Sequence, residues 1–148
     1  MISQQEVKRD AALREGGCLC GRLRYRVTGE PKAVNACHCR DCQRITGSAF
    51  AINAMFETAS VETLGSSWSG HDQIGSEFGQ RKWQCAECGV LLFADHPFYG
   101  DDMRFIRVGT LDHGEQIQPD AHYFVRSKHP WVVIPSGLPQ YETLPDGV

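Results

Sequence analysis

Arg22-Leu23-Arg24-Tyr25-Arg26-Val27 alternates three arginines with three apolar side chains. Successive side chains of a strand leave the backbone on opposite sides, so this two-residue period predicts a strand with one wet and one buried face. Outward from it, further strand-like segments lie at 33–36, 49–56, 61–64, 79–84, 90–94, 103–109 and 121–125. Gly, Pro, Asn, Asp or Ser separates most of them at short intervals, as in an all-β chain. Only 40–46 reads as a helix, closing on Gly47 as a left-handed cap. Segments 65–75 and 98–102 carry no periodicity and are expected to be surface loops. Residues 1–15 read as an N-terminal tail and 16–145 as one domain. The expected fold is mainly β, a single domain built as an all-β sandwich or folded sheet, with one short helix.

Composition narrows the function. A chain of 148 residues supports one core. Its net charge of −3 gives no electrostatic reason to expect nucleic acid as a partner. No apolar run reaches the roughly 18–20 residues that span a bilayer, so no membrane role is expected. The charged first residues lack a secretory pattern, and a cytoplasmic location is the expectation.

Cysteine is the outlier. There are seven, an odd number that rules out complete pairing in disulfides within one chain. They stand as Cys18-Leu19-Cys20, Cys37-His38-Cys39-Arg40-Asp41-Cys42 and Cys85-Ala86-Glu87-Cys88. Thiols clustered this closely in a reducing compartment read as metal ligands, with zinc the usual occupant. Seven divides as four plus three. Cys85 and Cys88, followed by Gly89, have the form of a zinc knuckle, which needs a second pair. Cys18 and Cys20, flanked by Gly16, Gly17 and Gly21, are the obvious donors. In a regular strand such residues lie roughly 6.6 Å apart. Their sulfurs must approach to roughly 3.8 Å around zinc, so the chain must bend there. Cys18, Cys20, Cys85 and Cys88 then form a structural zinc site.

Cys37, Cys39 and Cys42 remain, three sulfurs within six residues. They can cover one face of an ion and leave the other to water or substrate, as in a catalytic site. Two alternatives stay open. Cys18 and Cys20 can instead join Cys37 and Cys39, leaving Cys42 with the knuckle, or a histidine among His71, His96, His113 and His122 can close the second site. His38, between two ligands on an extended segment, points away from them and is expected to pack behind the site. Trp68, Trp83 and Trp131 read as core or pocket wall.

At these residues the chain resembles a known family, the glutathione-dependent formaldehyde-activating enzymes and their relatives, including centromere protein V-like proteins. The resemblance is carried by Gly17-Cys18-x-Cys20-Gly21, Cys37-His38-Cys39-x-x-Cys42, Thr46-Gly47-Ser48-Ala49-Phe50, Cys85-x-x-Cys88-Gly89, Pro119-x-x-His122 and Lys128-x-Pro130-Trp131. It implies a single-domain antiparallel folded sheet of the β-tent type, similar to that of methionine sulfoxide reductase B, and two zinc ions per chain in the same four-plus-three division. The activity it implies is that of a carbon–sulfur lyase acting on thiol–aldehyde adducts, joining glutathione and formaldehyde as S-hydroxymethylglutathione. Its partners are then a small thiol such as glutathione and a small aldehyde. Arg40 and Arg44, cations on the three-cysteine segment, are candidate contacts for an anionic thiol. The competing readings are a zinc-binding module in which both sites are structural, and a metal-free thiol redox protein using Cys37, Cys39 or Cys42.

Overall fold

The computed structural model describes residues 13–72 and 80–145. Ten strands dominate it: β1 (Leu13–Gly17), β2 (Arg24–Thr28), β3 (Ala33–Cys37), β4 (Ala51–Glu57), β5 (Val61–Leu64), β6 (Trp68–Asp72), β7 (Arg81–Cys85), β8 (Leu91–Asp95), β9 (Met103–Arg107) and β10 (Ala121–Tyr123). Among the described residues one α-helix, α1 (Arg40–Thr46), follows β3. The strands form a three-stranded sheet, β1-β2-β5, and a seven-stranded sheet ordered β10-β3-β4-β9-β8-β7-β6.

The arginine-rich stretch behaves as its period requires. Leu23, Tyr25 and Val27 are fully buried, while Arg24 forms a bidentate pair with Asp112 and Arg26 pairs with Glu15 at 3.0 Å on the outer face. The inner face of this small sheet packs on one face of the large one. Tyr25 meets the Phe93 ring edge-on at 5.1 Å, and Trp68 stacks on the same ring. Phe56, Leu92 and Ile106 complete the fully buried centre. Burial of several such large side chains, each contributing about 1.5–3 kcal/mol, holds the two sheets together.

Four expectations need correction. The sheets are mixed, because β10 runs parallel to β3. A long connection separates β9 from β10, and such a connection permits the parallel pairing that a tight hairpin forbids. The segment expected as a loop at 65–75 contains β6, which pairs along its length with β7. Ser69 and Gly70 are weak strand formers, so that pairing comes from the neighbour rather than local preference. The other expected loop, 98–102, lies within a run of 3₁₀ turns at Pro97–Asp102. Residues 1–12 of the expected tail lie outside the described residues, and Leu13 to Glu15 open β1.

Candidate functional site

The cysteines converge in two groups. Cys18, Cys20, Cys85 and Cys88 form one, with sulfur separations of 3.6 Å from Cys18 to Cys20 and 3.8 Å from Cys20 to Cys85. These match the roughly 3.8 Å edge of a tetrahedral thiolate site. Two glycines in the left-handed region make the bends: Gly21 at φ 80° after the first pair and Gly89 at φ 76° after the second. Backbone amides then turn toward sulfur, as Leu23 N–H does to Cys18 at 3.3 Å. The amides of Val90 and Cys20 hold the Cys88 thiol down to about 6. This group joins the start of the chain to the β7–β8 turn.

Cys37, Cys39 and Cys42 form the second group, their sulfurs all within 4.8 Å of one another. Cys37 ends β3, and Cys39 is the N-cap of α1, where its sulfur accepts the Cys42 amide at 3.2 Å. Hydrogen bonds from Cys37 and Cys42 hold the Cys39 thiol down to about 2. Those same contacts push Cys37 well above the usual thiol range. Gly47 ends the helix at φ 64° and donates its N–H to Gln43. Gln43 in turn donates its side-chain amide to the carbonyls of His38 and Ser127, at 2.8 and 3.0 Å. Both groups suit a metal: soft thiolates, converging from short bends, at separations that one ion bridges.

No histidine or carboxylate among the described residues joins either group. His122 instead turns Nδ1 to His38 Nε2 at 2.9 Å, His96 accepts the Phe98 amide, and His113 lies beside Glu115. His38 is fully buried and packs against Phe50 and His122 behind the cysteine loop. Arg40 and Arg44 do not line the cavity that Ala51 links to the cysteines. They line an open outer groove with Gln43, Phe50, His129 and Trp131, where Arg40 donates to Gln43 at 2.6 Å. Trp131 is a wall of that groove and exposed, stacked on His129.

A cavity of about 770 Å³ extends from the end of α1 to the β7–β8 turn, bounded by Thr46, Phe50, Ala51, Lys82, Val90 and Arg107; no cysteine lines it, and Ala51 links it to the three-cysteine group. Ala51 packs directly on Cys37 and Cys42. Lys82 and Arg107 are residues that sequence reasoning missed, because each falls in an ordinary strand pattern that carries no sign of burial. Burial and the neighbouring Arg107 bring the Lys82 ammonium down to about 8.

The profile of the glutathione-dependent formaldehyde-activating enzymes matches residues 13–127, which takes in all seven cysteines and both groups. The chain belongs to the glutathione-dependent formaldehyde-activating enzyme family. Within the family, a Penicillium rubens protein named provisionally as a glutathione-dependent formaldehyde-activating enzyme is 30% identical over 116 residues, 74% of this chain. The chain spans 59% of that relative's length. A crystal structure of a Rhodobacter sphaeroides protein shares the fold, with TM-score 0.54 and 18% identity, covering 86% of this chain and 98% of the other. No helix among the described residues is long and apolar enough to cross a membrane.

Proposed function

We propose that this family member is a zinc-dependent carbon–sulfur lyase-type enzyme acting on thiol–aldehyde adducts, with glutathione and formaldehyde as the model pair. The observation that carries the reading is the three-cysteine group: three sulfurs within 4.8 Å, no fourth side-chain ligand among the described residues, and an adjoining cavity. Cys37, Cys39 and Cys42 would hold one zinc ion, and Cys18, Cys20, Cys85 and Cys88 the other. When bound at an open site, zinc acidifies a thiol and polarises a carbonyl.

The reaction itself is simple. Thiol sulfur adds to the aldehyde carbon, a carbon–sulfur bond forms, the carbon–oxygen double bond becomes single, and the thiol proton ends on that oxygen. The chain's part is positioning. Cys39 and Cys42 are fixed by the capped first turn of α1, and Gln43 ties that turn to the segment ending in Ser127. Ala51, packed on Cys37 and Cys42, and Phe50 supply apolar wall to the neighbouring cavity, which limits water there. The four-cysteine group keeps a structural role, bridging β7 to the N-terminal hairpin.

Metal analysis with limited chelation tests the reading. Two zinc equivalents are expected, with the ion of the three-cysteine group lost first and retained longer in the presence of glutathione. Simultaneous loss of both ions with unfolding, unaffected by glutathione, would contradict it.

A further inference from the structure

Lys82 and Arg107 are buried cations with no carboxylate partner among the described residues; the negative charges that face them are the thiolates of the three-cysteine group. Lys82 is 2% exposed and Arg107 7%. Lys82 donates to a neutral acceptor, Gln80 Oε1, at 2.6 Å. Arg107 Nε and Nη1 are buried with no hydrogen-bond partner among the described residues. Neither cation has an ion pair among the described residues, and Asp72, the carboxylate on the cavity wall, is taken by Arg81 at 3.1 Å. Three thiolates around one zinc dication would carry a net charge of −1, so two buried cations leave one positive charge unbalanced, and a fold retains such a charge where something else supplies the partner.

Strand register places both cations with the cysteines. Lys82 stands opposite Ala94, and Ala94 opposite Phe105, two residues before Arg107. Arg107 stands opposite Asn53, two residues after Ala51, which is opposite Cys37. With a two-residue period, Lys82, Arg107 and Cys37 share one face of the seven-stranded sheet. That face forms a wall of the 770 Å³ cavity, a volume suited to a small molecule.

We propose that Lys82 and Arg107 are the carboxylate-recognition site of this cavity, selecting an anionic thiol for the three-cysteine group. The inference rests on the thiol–aldehyde reading above. The guanidinium fork offers two N–H groups in the plane that a carboxylate accepts, and the ammonium adds a point charge beside it. A phosphate dianion fits less well. The end of α1 that borders the cavity is its C-terminal turn, Ile45 and Thr46, whose dipole end disfavours a second negative charge. Lys82 and Arg107 line a different site from Arg40 and Arg44, which face the outer groove.

The test uses thiol-free probes, so that its outcome is independent of any thiol–aldehyde chemistry. The zinc-loaded full chain is titrated with 3-(methylsulfanyl)propanoate and with its methyl ester, following the Arg107 Nε–H resonance and the amide spectrum. The carboxylate is expected to shift the Arg107 signal and to bind at least ten-fold more tightly than the ester. Arg107→Gln should abolish that preference and Lys82→Met should reduce it at least three-fold, with the amide spectrum otherwise retained. Arg107→Lys serves where the glutamine variant does not fold, and should weaken the preference by losing the fork. Equal binding of acid and ester, binding of neither, tighter binding of inorganic phosphate, or a preference that survives Arg107→Gln would overturn the proposal. So would variants that lose metal from the three-cysteine group while keeping the preference, since the cations would then only balance thiolate charge. Each of these results leaves the thiol–aldehyde reading to stand or fall on exchange measured with glutathione and formaldehyde.

Discussion

His38 Nε2 lies 2.9 Å from His122 Nδ1, joining the loop between Cys37 and Cys39 to β10, which runs parallel to β3. The His38 amide also donates to the Tyr123 carbonyl at 2.9 Å. The pair is buried, and it is the side-chain fastening between the cysteine loop and β10. His122→Phe would leave His38 Nε2 without its partner, at a cost of about 1–3 kcal/mol. A thermal midpoint lowered by several degrees is the expected result, with faster zinc loss from Cys37, Cys39 and Cys42 than from the four-cysteine group. An unchanged midpoint would show that the contact contributes nothing.

The same pair makes stability depend on pH. Burial holds His38 down to about 4, and burial lowers His122 as well, against about 6.5 in an unfolded chain. With folded values below the unfolded one, the unfolded chain binds more protons as the solution acidifies. The stabilisation present above about pH 6.5 is therefore lost as pH falls from there toward 4. Urea midpoints should decline over that window, and imidazole 15N shifts should report His38 neutral at pH 5.5. A His38 ring already protonated at pH 6 in the folded protein would contradict this.

Substitution should separate the two cysteine groups. Cys85 is fully buried and its sulfur lies 3.8 Å from that of Cys20, 65 residues away in sequence. Cys85→Ser removes a ligand that ties distant segments, and metal binding at such a site contributes directly to folding. Loss of cooperative unfolding is expected. Cys39→Ser alters a bend local to α1 and should keep the strand signal in circular dichroism while losing one zinc equivalent. The opposite pattern would invert the roles assigned to the two groups.

Gly16 is a packing prediction. A Cβ there would run into the Tyr25 ring and the Thr110 carbonyl, next to the 2.8 Å hydrogen bond between Tyr25 and Thr110. Gly16→Ala should cost about 1–3 kcal/mol through overpacking, read as a lower denaturant midpoint with unchanged slope.

What could be read from the chain alone was local. The helix at Arg40–Thr46 and the left-handed Gly47 came from cap chemistry, and β2 from its alternation. Cysteine spacing anticipated which sulfurs meet, because two residues or three apart on a bent chain leaves few geometries. Features set by distant partners were not visible. Trp68–Asp72 is a strand because Arg81–Cys85 pairs with it, and the parallel run of β10 depends on where a long connection returns. Residues 108–109 and 124–125 were read as strand ends, but 3₁₀ turns begin at Val108 and Val125, the second just after Phe124 at φ 57°. Lys82 and Arg107 look like solvent-facing strand residues, since nothing nearby in sequence records that their face is covered.

The site formed by Cys37, Cys39 and Cys42 is proposed to promote addition of a thiol to a small aldehyde. The most direct measurement is exchange NMR on glutathione and formaldehyde with catalytic amounts of zinc-loaded protein, using Cys39→Ser as the control. Exchange between free and hydroxymethylated glutathione is expected to run several-fold faster than the spontaneous rate, with the increase absent in the variant. An exchange rate unchanged by the wild-type protein, at full zinc occupancy of both groups, would contradict it.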